Sequence, residues 1–182
     1  MKQGGSRNNG AATSAIQYTY DGSLVTDVAW TGPVAGTVDA AYDNFFRVNT
    51  LSVNGANPVS FTYDNDGLLV QAGDLALARD TLNGKLTGTT IGNVSDSWNY
   101  DDFGGVQSYG ASANGNTLYS MTFTRDNAGR IATKTETIGG VTSVYNYTYD
   151  PARGWLTDVS SNGVPVSHYD YDDNGNRLDA IP

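Results

Sequence analysis

The chain has 182 residues and a mass of 19.3 kDa, large enough for one domain with a buried core or for one block of a longer repeat array. Hydrophobic residues make up 38% and aromatics 11%, with 12 Tyr against 5 Phe, a composition too aromatic for a typical disordered segment. The net charge of -9 is set against only ten scattered Lys and Arg, which excludes the basic patch that a nucleic acid partner needs; the longest apolar runs, such as Leu68-Leu69-Val70, are far too short for a membrane span.

Zero Cys rules out disulfides and thiolate chemistry and leaves the compartment open. The acidic set is 18 Asp and a single Glu, Glu136. Glu favours helices whereas Asp favours turns and caps, so this imbalance predicts a turn-rich β protein.

Taken in chain order, residues 1–14 read as a flexible or artificially added lead, and residues 15–182 as one array. Pairs of Tyr and Asp then recur: Tyr20-Asp21, Tyr42-Asp43, Tyr63-Asp64, Tyr100-Asp101, Tyr149-Asp150 and Tyr171-Asp172, with Arg in place of Tyr at Arg79-Asp80 and Arg125-Asp126. Successive Asp are 22, 21, 16, 21, 25, 24 and 22 residues apart. Self-similarity at such an interval is the mark of a repeat architecture.

Within each unit the pattern has period two. Tyr145, Tyr147 and Tyr149 share one face of a strand while Asn146 and Thr148 share the other, and Tyr18/Tyr20, Phe61/Tyr63, Trp98/Tyr100, Met121/Phe123 and Tyr169/Tyr171 repeat the alternation. A turn follows each Asp, marked by Gly67, Gly129, Gly154 and Gly175, since Gly tolerates the positive φ that tight turns require. An aliphatic residue, Leu24, Val48, Leu69, Val106, Ile131, Leu156 or Leu178, opens a second strand, which ends at a turn such as Asn54-Gly55, Asn114-Gly115, Gly139-Gly140 or Asn162-Gly163. Residues 73–80 alternate Leu with Ala and read as strand. About eight strand-turn-strand units predict an all-β, curved or spiralling antiparallel sheet, because one hairpin cannot bury its aromatic face alone.

The pattern Tyr-x-Tyr-Asp-x-x-Gly-x-Leu resembles the YD repeats of bacterial Rhs proteins, toxin-complex C components and animal teneurins. Residues 147–156 and 169–178 match it most fully, and the resemblance runs from about Ile16 to Leu178. It implies a β-sheet wound into a hollow shell, which in the bacterial members encloses a C-terminal toxin, and a location at the cell surface or outside the cell. Eight repeats are too few to close a large cavity, which suggests an excised section or a minimal array. The bacterial members cleave themselves beside an Asp-Pro-x-Gly type of sequence; here Asp150-Pro151 is followed by Ala152-Arg153, and no protease residue is carried over. The partners implied are neighbouring repeats or copies meeting at sheet edges, and an enclosed toxin segment.

Chemistry beyond the repeat has little footing. Asp64-x-Asp66-Gly67 and Asp172-Asp173-Asn174-Gly175 resemble the opening of a calcium loop, yet neither continues to a distant bidentate Glu, and the same residues are what a hairpin turn demands. Asp101-Asp102 and Asp172-Asp173 are sequence neighbours that would point to opposite faces of a strand, a poor basis for a glycosidase pair. His168 is the only histidine, and no nucleophile elbow accompanies it. The leading expectation is therefore a structural scaffold with neither catalytic residues nor cofactor. The alternative is a carbohydrate-binding module using Trp30, Trp98 and Trp155 as stacking platforms.

Overall fold

The computed structural model describes residues 3–7 and 14–181 and contains strands and turns but no helix among them. The chain forms two compact units, residues 1–77 and 78–182. The first holds β1 (Gln3–Arg7), β2 (Ser14–Asp21), β3 (Leu24–Thr31), β4 (Gly36–Tyr42), β5 (Val48–Val53), β6 (Ala56–Tyr63) and β7 (Leu69–Ala72), and β8 (Leu75–Arg79) spans the boundary. The second holds β9 (Leu86–Ile91), β10 (Val94–Tyr100), β11 (Val106–Ala113), β12 (Asn116–Arg125), β13 (Ile131–Ile138), β14 (Val141–Tyr149), β15 (Leu156–Ser161), β16 (Val164–Tyr171) and β17 (Arg177–Ile181). In each unit successive strands pair antiparallel with one another. The Leu/Ala alternation of residues 75–79 is strand β8, paired with β7 through Gln71↔Ala76 and Ala72↔Leu75. Residues 3–7, expected to belong to a lead outside the fold, pair with β2 from Gln3↔Tyr18 to Arg7↔Ser14.

Of the two possibilities that the length leaves open, the fold is the repeat block rather than a domain around a buried core. No hydrophobic side chain among the described residues is buried. The repeated strands form a single layer, so a side chain packs only on its neighbours of the same face, and both faces meet solvent. The alternation nevertheless separates the faces: Tyr145, Tyr147 and Tyr149 are half-buried while Asn146 and Thr148 are exposed. The register places Tyr145 beside Lys134 on β13 and Ser161 on β15, and Trp98 beside Tyr109, so that one face of the second unit carries the aromatic rings with polar side chains between them. The other face carries a hydroxyl and amide ladder, with Thr124 and Thr133 hydroxyls 2.6 Å apart and Asn99 donating to Ser108 at 2.9 Å.

A β-bulge lies beside the Tyr-Asp position in seven hairpins, with the register slipping between Thr19/Tyr20, Ala41/Tyr42, Thr62/Tyr63, Asn99/Tyr100, Thr124/Arg125, Thr148/Tyr149 and Asp170/Tyr171. Thr62 faces Gln71 but Tyr63 faces Leu69, so Val70 is the extra residue. Such an insertion bends the strand and sharpens its twist. In the last repeat Tyr171 faces Arg177, and the extra residue is Leu178, which is 61% exposed. Leu178 is thus not the equivalent of Leu69 or Leu156.

Three of the opposite turns, at Asn54, Asn114 and Asn162, begin with a left-handed Asn, and others begin with Gly at positive φ. Asn54 and Asn162, at φ of 53° and 51°, begin two-residue turns that Gly55 and Gly163 complete. The Asn54 amide donates to the Thr37 carbonyl at 3.0 Å, and the Thr37 amide donates to Asn54 Oδ1 at 2.8 Å. Asn162 makes the same pair of bonds with Val144, at 2.8 and 2.9 Å. One side chain thereby carries the ladder a step past the last paired residue.

Candidate functional site: the joint between repeats

Each joint begins with the turn after the recurrent Asp. Asp126 is representative: its amide donates to the Arg130 carbonyl at 2.9 Å, and its own carbonyl accepts from Gly129 at 2.9 Å. Oδ1 accepts the amides of Ala128 at 3.0 Å and Arg130 at 2.9 Å. Asp43, Asp64, Asp101 and Asp172 also accept two turn amides on Oδ1, as do Asp80 and Asp150 in turns one residue longer. A carboxylate that accepts backbone N–H groups is favoured in its charged form. The Arg130 side chain does most to hold Asp126 below the ordinary carboxylate value, and the turn amides add to it against the opposing effect of burial. The Gly105 amide does most to lower Asp101, and the Asn176 side chain most to lower Asp172.

Asp21 departs from this scheme. It pairs directly with Leu24 across Gly22 and Ser23, and Gly22 supplies the positive φ. The first copy is a two-residue hairpin rather than an Asp-capped turn.

Five of the Tyr that precede a recurrent Asp reach backward in the chain. Tyr149 donates its hydroxyl to the carbonyl of Ile131, the residue that faces Arg125 across the preceding turn, at 2.8 Å. Tyr42 reaches Val25, Tyr63 Val48, Tyr100 Leu86 and Tyr171 Leu156 in the same way, at 2.7 to 2.8 Å. The recurrent Tyr is therefore a bolt between repeats as well as a strand residue.

A long side chain from the preceding turn covers that ring. Arg47 lies 4.3 Å over Tyr63, Lys85 4.8 Å over Tyr100 and Arg130 4.4 Å over Tyr149, all within cation–π reach. Trp155 takes the same place over Tyr171, with ring centroids 5.1 Å apart. The end of this side chain presses on the turn glycine of the following repeat. A Cβ added to Gly67 would sit 3.3 Å from Arg47, one on Gly154 3.0 Å from Arg130, and one on Gly175 2.9 Å from Trp155; a Cβ on Gly104 would collide with Lys85. These glycines answer two demands at once, a positive φ of 75° to 84° and the close approach of a neighbour.

One joint is built the other way round. Arg125 stands where the ring would be and donates through Nη2 to the Val106 carbonyl at 3.2 Å, the same acceptor position that Tyr149 uses one repeat later. Nε meets Asp101 Oδ2 at 3.0 Å and Nη1 meets the Gly129 carbonyl at 3.2 Å. The covering residue is here Gly105, whose added Cβ would be 3.0 Å from Arg125 and 2.8 Å from Asp101. Around Gly129 there is nothing within 4 Å of an added Cβ.

Two further polar groups lie outside the joints. On the aromatic face Tyr119 donates to Glu136 at 2.7 Å and Lys134 to the same oxygen at 3.0 Å, while Lys134 sits 4.6 Å over Tyr145. The Tyr119 hydrogen bond, then that of Lys134, keeps Glu136 below its ordinary value. On the other face His168 Nδ1 lies 2.7 Å from Asp158 and Nε2 3.5 Å from Asp170. The Asp158 hydrogen bond raises His168; all three side chains are about half exposed.

The three Trp named as stacking platforms are separated. Trp30 lies on β3 against Gly36, where an added Cβ would be 2.6 Å from the ring. Trp98 stacks 4.9 Å from Tyr109 and lines a cavity of about 730 Å³ with Lys85, Tyr100, Asp101 and Phe123. Trp155 is packed between Arg153, Tyr171 and Gly175. Sequence reasoning missed the covering residues Arg47, Lys85, Gly105 and Arg130. Their signal was present: a long side chain recurs directly after the turn glycine or its equivalent, Phe46, and Gly105 replaces it in the copy that precedes Arg125.

A single-layer antiparallel array in which a recurrent ring, or at Arg125 a guanidinium, bolts a repeat to the preceding one defines a YD-repeat sheet. The chain belongs to the Teneurin YD-shell family, whose model matches residues 6–181. It is 30% identical over 179 residues to human and to mouse Teneurin-4, spanning 92% of this chain but only 6% of those relatives. Its fold is that of the solved TcdB2-TccC3-Cdc42 complex, with a TM-score of 0.67 at 17% identity, covering 88% of this chain and 10% of the other. The Tc holotoxin pore of Photorhabdus luminescens matches with a TM-score of 0.69 at 16% identity, over 91% of this chain and 10% of the other.

Proposed function

We propose that this chain is a non-enzymatic scaffold, a section of a YD-repeat shell or surface-exposed stalk that acts at the cell surface or outside the cell. Residues 15–182 would work in it as one array. The observation that carries the reading is where the recurrent polar groups go: the Asp carboxylates close turns, and the Tyr hydroxyls bond the preceding repeat. Every feature that recurs is thereby used to hold one repeat to the next. In a longer parent, the resemblance to bacterial Rhs proteins supports an enclosed toxin segment as the cargo.

Stability in a repeat array is close to a sum of units and nearest-neighbour contacts. Deletion of one whole repeat, residues 127–150, should therefore leave a folded, shorter protein with cooperative unfolding at a lower temperature, seen by circular dichroism. Complete loss of structure would mean a closed domain with one indivisible core and would remove the scaffold reading.

A second reading, a carbohydrate-binding module, is favoured by the cavity that Trp98 and Tyr100 line beside Asp101, because an aromatic wall with polar neighbours suits a sugar ring. Titration of a saccharide panel against intrinsic Trp fluorescence tests it. A saturable response lost in Trp98→Ala supports the module, and a flat response from folded protein removes it.

A further inference from the structure

The inverted joint leaves a space that the others fill. A cavity of about 760 Å³ lies among Asp101, Phe103, Gln107, Phe123, Arg125 and Gly129, within the size range of small-ligand sites. In the neighbouring joints the corresponding region, over the recurrent side chain and against the turn glycine, is occupied by Lys85, Arg130 or Trp155. Here Gly105 supplies no side chain, Arg125 and Asp101 close over its Cα, and the opening lies farther along, where Gly129 faces open space. Phe103, at the tip of the Asp101 turn, is 100% exposed beside it.

We propose that this cavity is a recognition site for an aromatic side chain, Trp or Tyr, presented by a partner peptide. The other joints show which pairing works in this geometry: a cation on a ring, or a ring on a ring. With Arg125 in the lower position, a second cation is repelled, whereas an aromatic ring completes a cation–π pair in inverted order. Trp155 over Tyr171 shows that an indole fits the place of the covering side chain. Phe103 and Phe123 add apolar walls. The Asp101 and Asp126 carboxylates are already engaged, by Arg125 and Arg130, so no free anion beside the cavity favours a cationic ligand. This recognition goes beyond the scaffold role and does not depend on it.

The test is a titration of the full chain, labelled with nitrogen-15, with N-acetyl-tryptophanamide and separately with N-acetyl-argininamide. Saturable shifts of the Gly104, Gly105 and Gly129 amides with the Trp probe, at least about tenfold stronger than with the Arg probe, are expected. The double variant Gly105→Arg/Arg125→Tyr rebuilds the joint in its usual order and fills the space, and should lose the Trp response by about tenfold or more. Phe103→Ser, at a fully exposed tip, keeps the fold intact and should weaken binding several-fold. Absence of a saturable shift in the wild-type chain, equal response to both probes, or undiminished binding in Phe103→Ser overturns the proposal.

Discussion

The joints closed by Tyr149 and by Arg125 join consecutive repeats of one unit and bond the same backbone position, the carbonyls of Ile131 and Val106. They differ in where the volume lies. At Tyr149 a flat ring is below and Arg130 above, reaching to Gly154. At Arg125 the guanidinium bridges Asp101, Val106 and Gly129 and itself crowds Gly105, and the open space lies against Gly129. The acceptor geometry is thus the constant of the joint, and the bulk above it is the variable. A repeat can exchange a packed joint for a polar, hollow one without loss of register.

The strongest way to break this comparison is to remove the bolt itself. Tyr149→Ala takes away a half-buried ring, its hydrogen bond and the platform for Arg130. It should lower stability by about 2–3 kcal/mol, below the value for a fully buried aromatic; equilibrium denaturation against Arg125→Ala, expected to cost about 1 kcal/mol because that joint has less packed area, measures the difference. Equal losses would mean that packing above the bolt contributes nothing.

A coupling experiment sharpens it further. Gly105→Arg alone crowds Arg125 and Asp101, and Arg125→Tyr alone gives up the Asp101 ion pair without gaining a cover. The double variant restores the order seen at Tyr149, so a coupling energy of roughly 1–2 kcal/mol in favour of the pair is expected from a double-mutant cycle in urea. Simple additivity would show that the two positions do not sense each other.

The turn glycines give a smaller contrast. Gly175 and Gly129 share the same backbone, with φ of 84° and 78°, so the cost of placing Ala at positive φ cancels between them. Only Gly175 is pressed by Trp155, and Gly175→Ala should cost about 1 kcal/mol more than Gly129→Ala in paired thermal melts.

The gentlest probe is pH. The folded values of Asp101, Asp126 and Asp172 lie below the ordinary carboxylate value of 3.8. Their contribution is complete above that value and is lost as pH falls through the depressed folded values. Thermal melts between about pH 5 and pH 2 should show the midpoint falling, and Asp126→Asn should flatten part of the slope. His168 acts with the opposite sign, because Asp158 raises its folded value: its contribution is present below the ordinary imidazole value and fades as pH rises through the raised one.

Much of this was legible before any coordinates. The alternation at Tyr145, Tyr147 and Tyr149 is a local property of a pleated chain, and the Asp-x-x-Gly and Asn-Gly signals are local properties of turns, so strands and hairpins could be read directly. Three features were not. Asp21 carries the repeat pair yet closes a two-residue hairpin, since only two residues separate it from Leu24, where four separate Asp126 from Ile131, and they leave no turn amides to cap. The bulges moved the register by one, making Arg177 rather than Leu178 the partner of Tyr171. Whether a core would form could not be read either, because alternation tells which residues share a face and says nothing about whether a second layer covers it.

By itself, then, the sequence determined the repeat, its strand and turn chemistry, and the segregation of aromatic from hydroxyl-bearing faces, all of which depend on residues close together in the chain. Only the tertiary structure decided what the recurrent Tyr does. Its hydroxyl partner lies 14 to 18 residues earlier, and the side chain covering its ring comes from a different turn, so the bond and the stack exist only once neighbouring strands are paired in register. The same pairing set Arg125 against Gly105, two residues 20 positions apart in the chain, and left open the space against Gly129 beside Phe103.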